Sequence, residues 1–364
     1  MLHVLIIDEI SMVSNRLFYI IDVILRTIRP NGRPFGGVQL ICSGDFAQLP
    51  QIIKKEGGKK RKWQVDVDTR PLFRTEMWTR TGIRTITLSV DHRQSGDAAY
   101  AALLKRARIG AMTDADVAVL KTRVITTTMR PNETDDVAQL YSTNANVDAV
   151  NTFKLQELDA ATETTFSAHK IVQVTGHIAE EDDERPKSDR PYKASEIHSM
   201  ANAYMDRSVR AATEIALRVG ARVMLLANLD VRGGLANGTL GHVVAFKDTE
   251  NPDFPRIPVV QFCGIQGTTT ISQHSWKFEN NGTWKGQFAQ IPLCLAWAVT
   301  IHKSQGATLS KVITSLRGDN VYWTGAGYVA LSRVRSLQDI WFADFERGAV
   351  FADAEVVQWL ERGE

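Results

Sequence analysis

Only three cysteines occur in 364 residues, Cys42, Cys263 and Cys294, far apart and in apolar, strand-like surroundings. So sparse and odd a set builds neither a disulfide framework nor a four-cysteine zinc site, and it suits a reducing intracellular compartment. An excess of one charge is also lacking. Lys and Arg number 43 against 41 Asp and Glu, a formal net charge of +2, so any nucleic-acid or acidic partner has to be met by a local patch. The longest apolar stretch, PLCLAWAVTI, is too short to span a bilayer. Asp8 and Glu9 interrupt the N-terminus where a signal peptide needs a basic and then an apolar run. Neither export nor membrane insertion is indicated. No repeat of fixed period is present, and no Ser, His and Asp set calls for a hydrolase. What remains is an ordinary globular composition, with 44% hydrophobic and 23% charged residues, of a length that suggests about two domains.

LHVLIID is a continuous apolar run ending in acids, and it reads as a strand buried on both faces. From Ser14 to Arg29, Leu17, Ile20, Ile21, Ile24, Leu25 and Ile28 recur at helical spacing until Pro30, Asn31 and Gly32 stop the pattern. VQLICSGD repeats the strand design and delivers Asp45 at its end; TITLSVDHRQ does so again with Asp91, His92 and Arg93. Parallel strands carrying polar residues at their C-terminal ends mark the ligand edge of a doubly wound α/β sheet. KKEGGKKRK at 54–62 reads as an exposed basic loop, and the acidic run Glu180–Glu184 as a solvated one. From Arg222 the pattern becomes short strands broken by glycine, a small β subdomain ending in a polar stretch up to Gln290. LCLAWAV, VITSL and DIWFADF then restore strand signals, with a last helix near Ala354–Leu360.

Asp8 and Glu9 end a buried strand, where one carboxylate could hold a Mg²⁺ ion on a nucleotide and the other polarise a water. The alternative for a bare Asp-Glu pair is a solvated strand end. LIIDEISMV, however, resembles a Walker B motif. In SGDFAQLPQ, Gln48 follows a second strand, where its amide could meet a γ-phosphate oxygen and a water; otherwise it is a turn glutamine. These strings resemble motifs II and III of superfamily 1 DNA helicases, particularly the Pif family, relatives of RecD. RPFGGVQLI resembles the stretch between those motifs, and LSVDHRQ the arginine motif IV. LRVGARVMLLANLDVRGGLANGTLGHVV resembles the start of the family's inserted β subdomain, PLCLAWAVTIHKSQGATL motif V and GYVALSRVRSLQDI motif VI. The motifs run in order over nearly the whole chain.

The resemblance implies two RecA-like α/β domains with an SH3-like insertion. Their expected limits are 1–88 for the first; 89–221 and 291–364 for the second; and 222–290 for the insertion. It implies a monomeric ATP-dependent DNA helicase moving 5′ to 3′ on single-stranded DNA, serving repair, recombination and telomere maintenance in the nucleus or mitochondrion of a eukaryote, or otherwise in the cytoplasm. The implied cofactor is Mg²⁺ with ATP, the metal held by Asp8. Glu9, Gln48, Arg93 and Arg333 are the implied catalytic set, Arg333 as arginine finger. Its alternative is a salt-bridged surface arginine, and that of Arg93 an ion pair with Asp91. Gln305 and Gly306 fall on the nucleotide side; Thr300, His302, Lys303 and Ser304 on the DNA side. Trp297 and Trp323 could stack bases, although aromatics in apolar strands usually pack in the core.

Three departures stand out. Gln51 and Ala326 replace a proline and a glutamine of the family pattern. The phosphate loop G-x-x-x-x-G-K-S/T is also absent; the only Gly-Lys pair, Gly58-Lys59, is followed by Lys60 and has Ile53 where the first glycine belongs. In the family that loop precedes the Walker B strand. The resemblance therefore leads to the expectation of an N-terminally truncated helicase, inactive alone, with a non-enzymatic nucleic-acid-binding remnant as the alternative.

Overall fold

A computed structural model describes residues 2–51, 70–131, 137–186, 191–280, 282–318, 321 and 323–363. The basic run at 54–62 lies outside them. The chain divides into two compact units, one of residues 1–147 with 299–364 and the other of residues 148–298.

The first unit opens with β1 (Val4–Ile7), α1 (Asn15–Ile28) and β2 (Gln39–Cys42), the two strands pairing in parallel. Ser14 caps α1, its hydroxyl accepting from Leu17 N, so the helix begins where the apolar spacing begins. Phe18, Phe35, Val38, Leu72 and Ile10 form the core beneath them. Expected burial on both faces is not met. Ile6 is 68% exposed, and on α1 Leu17, Ile24 and Ile28 also face outward; among the described residues β1 pairs with β2 alone, and the apolar cluster around Phe18 covers a single face. α2 (Glu76–Thr81) follows. TITLSV, expected as a strand, has no strand pairing among the described residues, and Ile86, Leu88 and Val90 are exposed. Its alternation is that of a strand, but among the described residues no neighbouring strand completes the backbone hydrogen bonds.

α3 (Ala98–Arg108), α4 (Asp114–Lys121), β3 (Val137–Tyr141) and α5 (Asn144–Gln156) come next. In the second unit, β4 (Thr164–Ser167) pairs with β6 (Glu214–Leu217), while β5 (His169–Val174) joins a sheet covered by α6 (Ala194–Ser208). β7 (Arg222–Leu225), β8 (Leu240–Asp248), β9 (Arg256–Phe262) and β10 (Thr269–Thr270) form an antiparallel sheet that β13 (Leu293–Leu295) extends, in the order β10-β9-β8-β7-β13. Val223, Leu225, Val243, Val260, Phe262 and Leu293 fill its core. The polar stretch before Gln290 is an antiparallel hairpin, β11 (His274–Asn280) and β12 (Trp284–Gln290), with β12 pairing in turn with β5. The acidic run is anchored, Glu181 accepting from both the backbone N and the hydroxyl of Ser195.

Back in the first unit, β14 (Ala298–Thr300), β3, β15 (Lys311–Leu316) and β16 (Ile340–Phe345) lie side by side in the order β14-β3-β15-β16, β15 parallel to both β3 and β16. LCLAWAV thus supplies β13 to one sheet and β14 to another. α7 (Ala326–Leu331) and α8 (Ala354–Arg362) complete the chain. Among the described residues no helix is long and apolar enough to cross a membrane.

Candidate nucleotide and nucleic-acid site

Every candidate catalytic, nucleotide-side and DNA-side residue belongs to the first unit; of the two candidate stacking tryptophans, Trp323 does and Trp297 does not. Asp8 follows β1, and its Oδ1 accepts from Ser43 Oγ and from Glu9 N. Ser43 follows β2, so the two parallel strands deliver a carboxylate and a hydroxyl to one point. Glu9 takes a left-handed backbone, φ 51°, uncommon for a residue with a Cβ. Its Oε2 accepts from Gln305 Nε2 at 2.9 Å. Gly306 follows at φ +79°, where a Cβ would stand 3.4 Å from Glu9 Oε1.

Gln48 sits half-buried in the turn after β2, its backbone N donating to Asp45 O. Asp45 is the residue that sequence reasoning left without a role. Both its oxygens accept from Arg108 at the end of α3, Nε and Nη2 each at 2.8 Å, and Oδ1 also accepts from Ala47 N. This hydrogen bonding raises the Arg108 pKa, and burial, helped by Asp45, pushes the neighbouring Tyr328 hydroxyl up to about 12. On the other side, Gly325 at φ +75° lies so close to the turn that a Cβ would come within 2.4 Å of Gln48 O. The turn is therefore clasped by α3 and by the approach to α7. The strand-end position of Asp45 was a signal for it; nothing local marks Arg108.

Arg333 is 1% exposed, and no carboxylate pairs with it among the described residues. Its guanidinium donates to Val329 O, Ser304 O, Ala307 O and the Ser332 hydroxyl. Burial first, then the nearby Arg93 charge, bring its pKa down to about 10. Arg93 donates from Nε to Thr308 Oγ1 and from Nη1 to Ser332 O, with a longer reach to Gly306 O; only its backbone N bonds Asp91. Neither arginine is the ion-paired residue that each alternative supposed. Two cations held by carbonyls and hydroxyls, with no carboxylate paired to them among the described residues, make an electropositive centre suited to an anion. An open cavity of about 540 Å³ beside it is lined by His92, Arg93, Thr308, Arg335 and Asp339 among others.

In the turn after β14, Lys303 is exposed and His302 half-buried, its ring edge-on to Trp323 at 5.9 Å. Burial lowers the His302 pKa, and its Nε2 has no partner among the described residues. Thr300 and Ser304 are turned inward: Thr300 Oγ1 accepts from Lys303 N and Ser304 Oγ donates to Ile301 O. They shape the turn rather than present their hydroxyls outward. Trp297 is partly buried against the core of the second unit.

No cluster of three or more His, Cys, Asp or Glu able to hold a metal occurs among the described residues. The exposed Asp8 carboxylate is a hard oxygen donor of the kind that holds Mg²⁺ together with phosphates and waters, which needs no protein cage. The residues present fit that ion.

Residues 1–114 match the PIF1-like helicase family and 205–246 match the DNA helicase Pif1 2B domain. The ATP-dependent DNA helicases PIF1 of Xenopus laevis and Homo sapiens are each 33% identical to the chain, over 98% and 99% of its length. The chain spans about half of these relatives, 49% of each. The crystal structure of Pif1 helicase from Candida albicans aligns over the whole chain and 77% of its own, with TM-score 0.79 and 30% identity. That of the Bacteroides Pif1 helicase in complex with ADP-AlF3 and ssDNA covers 99% of this chain and 75% of its own, with TM-score 0.69 and 28% identity. Fold and sequence together define a RecA-like α/β protein of the kind found in Pif1 helicases. The chain belongs to the Pif1-like helicase family.

Proposed function

We propose that the chain carries the working motifs of an ATP-driven helicase that moves 5′ to 3′ on single-stranded DNA. One observation carries this reading: the segment Ser304–Thr308 is bonded to Glu9, Arg93 and Arg333 while running directly into the exposed Lys303 turn. Asp8 would hold Mg²⁺, which neutralises charge on the phosphates. Glu9 takes the proton of a water as its oxygen bonds to the γ-phosphorus and the bond to the bridging oxygen breaks, leaving ADP and phosphate. Gln48 orients that water. Arg333 and Arg93 exchange their carbonyl partners for the oxygens of the transferring phosphoryl group, where a guanidinium is worth far more. Gln305 and Gly306 line the nucleotide side. Lys303 and His302 meet the DNA backbone, in a turn whose shape Thr300 and Ser304 set.

Positioning of the β- and γ-phosphates is most of this catalysis, and no G-x-x-x-x-G-K-S/T string occurs in the 364 residues. The chain alone is therefore expected to bind single-stranded DNA yet hydrolyse ATP at background. The same absence favours a second reading, a nucleic-acid-binding protein without catalysis. Steady-state ATP hydrolysis by the purified chain with Mg²⁺ and oligo(dT) tests both. DNA-stimulated turnover abolished by Glu9→Gln would refute the expected inactivity and the second reading.

A further inference from the structure

The five residues Ser304–Thr308 are tied at three points. Gln305 Nε2 reaches Glu9 Oε2 at 2.9 Å; Arg333 Nη1 reaches Ser304 O and Ala307 O, both at 3.2 Å; and Arg93 Nε reaches Thr308 Oγ1 at 3.0 Å. Toward its N-terminus the segment cannot move apart from the Lys303 turn, since Ser304 N donates to Thr300 O and Ile301 O and Gln305 N to His302 O. The Gln305 amide is satisfied at one end only. Its Oε1 is buried and has no partner among the described residues, a desolvated acceptor that opposes this position. What keeps the amide there is Glu9. Glu9 in turn spends a carboxylate oxygen on Gln305 that catalysis needs for a water.

We propose that Gln305 is a positioning residue for Glu9: it withholds the carboxylate until single-stranded DNA seats on the His302–Lys303 turn, and seating draws Gln305 away. The inference rests on the DNA and nucleotide assignments made above. Its thermodynamic consequence is reciprocal. If DNA breaks the Glu9–Gln305 bond, then removing the bond favours the DNA-seated arrangement and tightens DNA binding. Damage to the turn would do the opposite.

The test is the affinity of the chain for fluorescein-labelled oligo(dT), by anisotropy, with Gln305→Leu, Glu9→Ala, the double variant and Lys303→Ala. Gln305→Leu and Glu9→Ala should each tighten binding roughly three- to ten-fold, and the double variant no further than either. Hydrogen exchange of the peptide over 300–309 should rise equally in both single variants while the rest of the chain stays protected. If wild type binds and Lys303→Ala weakens it, unchanged or weaker binding by the two single variants, or tightening that adds in the double, overturns this inference alone. If wild type does not bind, or Lys303→Ala changes nothing, the DNA assignment falls and the inference falls with it.

Discussion

Asp45 and Arg108 face each other in a two-pronged ion pair, 2.8 Å on each prong, across 63 positions of sequence. Asp45 is mostly buried and Arg108 about a third exposed, at 16% and 31%, so solvent screens the pair less than a surface bridge. The same carboxylate shapes the turn bearing Gln48 through Ala47 N. Asp45→Asn with Arg108→Gln in a double-mutant cycle should give a coupling of about 1–2 kcal/mol in urea unfolding. Strict additivity of the two single changes would mean that the pair is incidental.

Gly325 has no room for a side chain. A methyl there would sit 2.4 Å from Gln48 O and 2.6 Å from Ala47 O, on a backbone at φ +75°. Gly325→Ala should cost about 2 kcal/mol or more and lower the melting temperature by several degrees. A wild-type midpoint would show that the turn yields easily.

Trp359 of α8 stacks on Phe73 at 4.8 Å and meets Phe46 edge-on at 5.3 Å. Phe46 belongs to the Gln48 turn, so an apolar contact as well as an ion pair holds that turn. Trp359→Ala should destabilise by about 2 kcal/mol, since the indole is only partly buried. Equal stability of the variant in denaturant would remove α8 from the clasp.

Asp116 completes the capping box of α4, whose N-cap is Thr113, and accepts from Arg106 and Thr113. The Arg106 hydrogen bond, with help from Thr113, holds its carboxyl well below the usual range. A carboxyl with a depressed folded pKa contributes stability above its unfolded value, about 3.9, and loses it as pH falls toward the folded value. Asp116→Asn should therefore destabilise at pH 7 and make the loss of stability below about pH 4 shallower. An unchanged acid limb would place the acid sensitivity elsewhere.

Strand ends and caps were legible because they are local. Asp8 and Asp45 follow apolar runs, and Ser14 precedes a helical spacing; each signal needs only a few neighbours. What covers an apolar face is not local. Ile6, in a continuous apolar run, and Leu88, in an alternating one, both read as buried strand residues yet stand exposed, because an apolar pattern says nothing of what lies against it. The β11–β12 hairpin hid in a polar stretch, its pairing with β5 set by partners more than a hundred residues away. Within the site, motif spacing led to Glu9, Gln305 and Arg333, but not to the bond between the first two or to the carbonyls that hold the third. Those depend on how β1, the Lys303 turn and α7 converge.

The salt dependence of oligo(dT) affinity, for the wild-type chain and for Lys303→Ala, bears most directly on the assignment of this turn to DNA. Wild type should bind with an affinity that falls linearly in log–log form as salt rises, and Lys303→Ala should weaken binding while reducing the slope by about one counterion. Salt-independent binding, or a slope that Lys303→Ala leaves untouched, would place the DNA elsewhere on the protein.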